Sequence, residues 1–224
     1  MTETALLFDL DGTLLDTLED LFLAVNEMLE SYGLPSRTLD EVRAFVGNGA
    51  ARLVKLALPG LATDPSVEEA VARFKQIYNR ICQDHTSPYP GVMEALAQLH
   101  DTGYPMAVVS NKPDGAVKEL WGGHFGGFVS VCRGDLEGVP RKPAADMPLA
   151  AARELGAAAE NCIYIGDSEV DILTAKNAGM VCLSVTWGFR KEAELIAAGG
   201  EYFVDDPLEL PERIKLLEEK LLGK

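Results

Sequence analysis

Four carboxylates stand in this sequence where buried strands should end. Asp9 and Asp11 lie in Asp9-Leu10-Asp11-Gly12-Thr13, and Asp167 and Asp171 lie in Gly166-Asp167-Ser168-Glu169-Val170-Asp171. Between them come Ser110-Asn111-Lys112 and Arg141-Lys142-Pro143. Acids in this setting can serve as nucleophile, as general acid and base, or as ligands of a cation. Like carboxylates gathered in one site must either bind a proton or share a cation. A hard divalent ion with oxygen ligands, Mg²⁺ first, resolves that conflict. Zinc suits the sequence poorly, because His85, His100 and His124 have no ligand-like spacing. Each segment also has an ordinary structural use. Asp-Gly makes turns, and Asp16-Thr17 or Asp167-Ser168 can cap helices. Taken singly, those uses are as good; four acids at one sheet edge are not explained by capping, since they would repel one another.

The elements that must position these groups follow from the hydrophobic pattern. Residues 4–8 form a short apolar run that stops at Asp9, as a buried parallel strand would. From Thr17 to Cys82 the texture is helical, with Leu18, Leu21, Phe22, Val25, Met28 and Leu29 on one stripe. The runs 40–58 and 66–81 repeat that texture, separated by Gly33-Leu34-Pro35 and Pro59-Gly60. After Pro90-Gly91, strand and helix alternate: strands at 106–109, 128–132, 162–165 and 181–185, helices at 92–99, from about 114, 144–155 and 170–178. A short strand at 202–204 and a helix over 207–222 complete the pattern. Such alternation predicts a parallel sheet with helices on both faces. Ligands of open α/β sheets bind beyond the carboxyl ends of the strands, which is where the four segments fall. The expected organisation is a core of residues 1–16 and 87–224 with a helical lid, residues 17–86, inserted after the first strand.

Composition narrows the partners. Thirty-five acidic against 20 basic side chains leave a formal charge of −15, which disfavours a nucleic-acid backbone as ligand. No window is apolar enough for a membrane span, and the first residues lack a basic n-region and a cleavage site. The four cysteines are dispersed, without a C-x-x-C pair, and read as buried free thiols. These features lead us to expect a cytoplasmic protein whose partners are neither nucleic acid nor membrane.

The set DLDGT, Ser110, Lys142 and GDSEVD, in this order and over nearly the whole chain, resembles the four motifs of the haloacid dehalogenase-like hydrolases. The resemblance implies a Rossmann-like parallel sheet core with an inserted α-helical cap. It also implies roles. Asp9 is the nucleophile that forms an aspartyl-phosphate, and Asp11 protonates the leaving oxygen and then activates water. Lys142 supplies positive charge to the phosphoryl group and to Asp9. Ser110, Asn111 and the amides around Leu10 and Asp11 bind the phosphoryl group. Mg²⁺ is held by the Asp9 side chain, the Asp11 carbonyl and Asp167, with Asp171 touching it through water or orienting other ligands. Within the family, an acid at position 11 favours phosphate esters, because a halide leaves without a proton, so the resemblance implies a small phosphorylated metabolite as substrate and a monomer or homodimer as the expected assembly.

Within that family, the loop Val46-Gly47-Asn48-Gly49, with Ser110-Asn111-Lys112 and Thr186-Trp187-Gly188-Phe189, is similar to phosphoglycolate phosphatases. Backbone amides at Asn48 and Gly49 can receive a substrate anion at a helix start, with Arg52 and Lys55 on the following turns. An ordinary helix entry with surface bases is the competing reading. Lys112 either faces substrate or is a solvated lysine at a helix start. Two further functions stay open: a sugar-phosphate mutase of the β-phosphoglucomutase type, and a non-catalytic acidic module that binds a cation or a partner.

Overall fold

A computed structural model describes residues 4–61 and 64–222 of the 224. The chain forms two compact units, one running through Leu15 and resuming at Pro88, the other Asp16–Ser87. In chain order the elements are β1 (Ala5–Phe8), β2 (Leu15–Asp16), α1 (Leu18–Ser31), α2 (Leu39–Phe45), α3 (Ala50–Ala57) and α4 (Val67–Ile81). Then follow β3 (Ser87–Pro88), α5 (Val92–Thr102), β4 (Met106–Pro113), α6 (Asp114–His124), β5 (Val131–Asp135) and α7 (Asp146–Glu154). The last are β6 (Cys162–Gly166), α8 (Glu169–Ala178), β7 (Val181–Val185), α9 (Glu192–Ala197), β8 (Tyr202–Val204) and α10 (Leu210–Leu222).

The first unit is an α/β fold built on a six-stranded parallel sheet in the order β5-β4-β1-β6-β7-β8. β1 is central, paired with β4 on one side and β6 on the other. All four residues of β1 are buried, yet they alternate between two cores. Leu6 and Phe8 pack with Val108, Ile163, Ile165 and residues of α5, α6 and α10. Ala5 and Leu7 pack with Ala107, Val109, Tyr164 and residues of α7 and α8. A continuous apolar run is what a strand covered on both faces requires. The consequence for function is positional. Two adjacent strands, β1 and β6, end beside each other, and the Asp9 amide extends their ladder by donating to the Ile165 carbonyl at 2.8 Å.

Two elements begin later than their apolar composition predicts. The strand expected at 128–132 is β5 at Val131–Asp135, because the Phe128 and Val129 amides turn back to the Phe125 carbonyl at 2.8 and 3.0 Å. The helix expected from 144 starts at Asp146, since the Ala144 amide closes a turn on Arg141. Local turn bonds outrank apolar composition at both places.

The second unit is helical. The α1 stripe buries Leu18, Leu21, Ala24, Val25, Met28 and Leu29, with Phe22 half-buried at its margin. α1 packs on α4 and α2, and α4 also packs on α3. Thr38 with Glu41 and Ser66 with Glu69 form reciprocal capping boxes that start α2 and α4. The run 40–58 is two helices rather than one, broken at Gly47 and Gly49 with φ of 120° and 79°.

Candidate active site

β1 delivers Asp9 to the end of the sheet, the loop after β6 delivers Asp167, and the first turn of α8 delivers Asp171. Oxygens of Asp9, Asp167 and Asp171 all lie within 4.8 Å of one another. All three residues are buried, at 7%, 1% and 0% exposure. Lys142 points its ammonium into them, 2.8 Å from Asp9 Oδ1 and 2.9 Å from Asp171 Oδ1. The Leu10 amide donates to Asp9 Oδ1 at 2.7 Å. Asp171 closes the first turn of α8, its Oδ2 accepting from the Ser168 amide and hydroxyl at 3.1 and 2.6 Å.

Asp167 is seated by backbone. The Phe189 amide donates to its Oδ2 at 2.7 Å, and the Thr13 hydroxyl lies 3.5 Å from Oδ1. The indole of Trp187 in turn donates to the Thr13 carbonyl at 3.0 Å. Glycines make room for this crossing. A Cβ on Gly12 (φ +82°) or on Gly188 would run into the Asp167 side chain, and one on Gly166 into Asp171. The segment Thr186-Trp187-Gly188-Phe189 thus holds Asp167 and the Asp9 loop together.

Electrostatics follow from this crowding. Burial above all, then the neighbouring Asp171 charge, pushes the Asp9 carboxyl up to about 7 despite the pull of Lys142. Asp167 is raised well above the carboxylate range by burial first and by Asp171 and Asp9 next. Burial disfavours the Lys142 ammonium, but Asp171 and Asp9 outweigh it and hold the amine well above its usual range. Once its three carboxylates are ionised, the cluster exceeds its one ammonium in charge and is a buried all-oxygen donor set. That chemistry fits a hard divalent cation.

The structure brings some of the expected residues together and sets others apart. Asp9, Lys142, Asp167 and Asp171 meet directly. Ser110 is buried within β4, just past Val109 where the register with β5 shifts, its hydroxyl accepting from the Lys112 amide at 3.2 Å. Asp11 is not in the carboxylate cluster; its Oδ1 pairs with Lys112 Nζ at 2.7 Å. Lys112 is therefore a buried partner and not a solvated lysine. Asn111, expected at the phosphoryl group, instead has both ends of its amide on the main chain of Lys142. Its Nδ2 donates to the Lys142 carbonyl at 3.0 Å, and its Oδ1 accepts from the Lys142 amide at 2.9 Å. Asn48 and Gly49 belong to the other unit, at the entry to α3, where Gly49 is the N-cap and makes no side-chain cap bond. Arg141 pairs with Asp135 at 2.6 Å.

Sequence reasoning missed Tyr164 and Arg190. Tyr164 is fully buried with its hydroxyl 3.0 Å from Lys142 Nζ. The one available signal was a tyrosine inside an apolar strand, whose hydroxyl needs a partner. Arg190, which follows the Asp167-binding loop, pairs with Glu169 at 2.8 Å.

The sequence profile of haloacid dehalogenase-like hydrolases matches residues 6–185. The chain belongs to that family. It is 35% identical over 210 residues to a phosphoglycolate phosphatase of Pseudomonas syringae pv. tomato, covering 90% of this chain and 76% of the relative. A phosphoglycolate phosphatase of Vibrio parahaemolyticus is 37% identical over 210 residues, covering 90% and 91%. A crystal structure from Lactobacillus delbrueckii subsp. bulgaricus, proposed to be a phosphoglycolate phosphatase, superposes with a TM-score of 0.86 over all of both chains at 34% identity. The chain is accordingly an enzyme of the phosphatase kind. No helix among the described residues is long and apolar enough to cross a membrane.

Proposed function

We propose that this haloacid dehalogenase-like enzyme hydrolyses small phosphate monoesters through Asp9, with 2-phosphoglycolate the leading substrate. The observation that carries the reading is the buried trio of Asp9, Asp167 and Asp171 around the Lys142 ammonium at the ends of β1 and β6. Relatives named phosphoglycolate phosphatase support the choice of substrate.

Asp9 attacks phosphorus and becomes an aspartyl-phosphate while the ester oxygen leaves. Asp11, two residues on, gives that oxygen its proton and then takes one from the water that hydrolyses the intermediate. Lys142 offsets charge on the phosphoryl oxygens and on Asp9, and the Ser110 hydroxyl binds the same group. Asn111 acts one step back, by fixing the main chain of Lys142. Asp9, the Asp11 carbonyl and Asp167 would hold Mg²⁺, with Asp171 beside them. When bound, the ion supplies positive charge to the transferred phosphoryl group.

Lys112 holds Asp11 and offers a cation for the acidic end of a substrate such as phosphoglycolate. We assign residues 17–86 the part of a cap that selects the leaving group, with the Asn48 and Gly49 amides and Arg52 available to a carboxylate. A panel of p-nitrophenyl phosphate, 2-phosphoglycolate and hexose phosphates, run with Mg²⁺ and with EDTA, tests the reading. The expected result is Mg²⁺-dependent release of free phosphate, with kcat/KM highest for 2-phosphoglycolate. Isomer formation without free phosphate would replace the phosphatase by a mutase, and turnover that survives in Asp9→Asn would remove the mechanism.

A further inference from the structure

An ammonium has three protons to donate, and at Lys142 each has a partner. Two go to Asp9 Oδ1 and Asp171 Oδ1, at 2.8 and 2.9 Å. The third goes to the Tyr164 hydroxyl at 3.0 Å. That hydroxyl donates its own proton to the Val109 carbonyl at 3.2 Å, so a lone pair is turned toward the amine. The amine also lies 5.6 Å from the centre of the Tyr164 ring, within cation–π range. Tyr164 is wholly buried between β1 and β7 in the sheet, packed with Leu7, Val109 and Ala175, so it has no freedom to follow the amine.

We propose that Tyr164 is a positioning residue for catalysis, holding the Lys142 ammonium at the attacking carboxylate. This inference rests on the reading of Lys142 as the cation that meets the phosphoryl group. The lysine side chain is a long flexible stem, and Asn111 fixes only its main-chain end. Two carboxylates pull on the other end. When Asp9 becomes an ester it loses its charge and much of its hold, leaving Asp171 to draw the amine away from the reacting group. Tyr164 is a neutral anchor that does not change through the cycle, because it keeps its proton, which is donated to the Val109 carbonyl.

The test is a cycle of Tyr164→Phe, Lys142→Met and the double variant, assayed on the best ester with Mg²⁺. Tyr164→Phe keeps the ring and removes one oxygen. It is expected to lower kcat about tenfold with KM changed less than about twofold, the pattern of an interaction realised in the transition state. In the Lys142→Met background the same change is expected to alter kcat less than about twofold, because a residue that acts through Lys142 has nothing left to act on. Equal losses in both backgrounds, or an undiminished kcat in Tyr164→Phe, would overturn the proposal.

Should Lys142→Met fail to fold, vanadate inhibition of Tyr164→Phe alone decides, since vanadate mimics the five-coordinate phosphoryl group. An inhibition constant about tenfold weaker supports the positioning role, and an unchanged one contradicts it. A readout free of turnover is the nitrogen resonance of the Lys142 ammonium at neutral pH. The proposal expects a protected signal in the native protein that is lost in Tyr164→Phe, and an unaltered signal opposes it. Absence of phosphate release by the native enzyme, with the ammonium signal behaving as expected, would sink the functional reading and leave the anchoring intact.

Discussion

Asp20 and Asp9 are both buried carboxylates, one in each unit, and they are satisfied in opposite ways. Asp20, on α1 of the helical unit, is 0% exposed and accepts from the His85 and Thr86 amides and from the Thr86 hydroxyl at 2.7 to 3.2 Å. Its partners are neutral donors of the returning chain, and it ties residues 85–86 to α1. Asp9 faces two other buried acids and a single ammonium. Burial alone therefore does not mark a site. A carboxylate surrounded by neutral donors is a fastener, whereas carboxylates that face one another are poised for a proton, a cation or a reaction.

Substitutions can break this contrast. Asp9→Asn is expected to cut phosphate release at least about a thousandfold while leaving the metal-free melting temperature undiminished, because burial and Asp171 already disfavour a charge at that position. A large loss of stability would make Asp9 a fastener like Asp20. Gly12→Ala places a methyl group against the Asp167 carboxylate at a φ of +82°. Displacing that side chain by about an ångström is expected to lower kcat about a hundredfold, and wild-type activity would show that Asp167 has room to spare. Asp20→Ala strands the His85 and Thr86 amides, so urea unfolding is expected to show a loss of about 2 kcal/mol. At low temperature kcat should stay within about threefold of wild type. The contrast fails if the activity loss exceeds the stability loss.

The smallest effect concerns pH. Asp9 holds its proton in the fold up to about 7 but loses it near 3.8 when unfolded. Between those values the folded state binds more protons than the unfolded state, so stability contributed by Asp9 protonation falls as pH rises. Asp167 shifts in the same direction. A cation at the cluster takes the place of those protons. Added Mg²⁺ is thus expected to raise the melting temperature by a few degrees more near pH 8 than near pH 5. A gain independent of pH would place the ion elsewhere.

Much of this was legible in the sequence for one physical reason. Buried parallel strands are continuous apolar runs, so the polar residue that stops each run marks the sheet edge where chemistry occurs, as at Asp9, Ser110 and Asp167. The helical stripe of α1 was equally plain, because its spacing of three and four is dictated by the helix. Side-chain reach was not legible. Lys112 crosses 101 residues of sequence to meet Asp11, and Tyr164 reaches across 22 to Lys142. Asn111 could not be separated from a phosphate ligand by type alone, since an amide serves a main chain and an anion equally well. Such pairings depend on strand order, which apolar patterning does not encode.

In the proposed mechanism Asp9 itself carries the phosphoryl group during turnover. Rapid acid quench of the enzyme with 2-phosphoglycolate and Mg²⁺, followed by peptide mass analysis, tests it most directly. One added phosphoryl mass is expected on the peptide containing Asp9, absent from Asp9→Asn and without substrate. Steady phosphate release with that peptide unmodified at every quench time, or with the label on another residue, would contradict it.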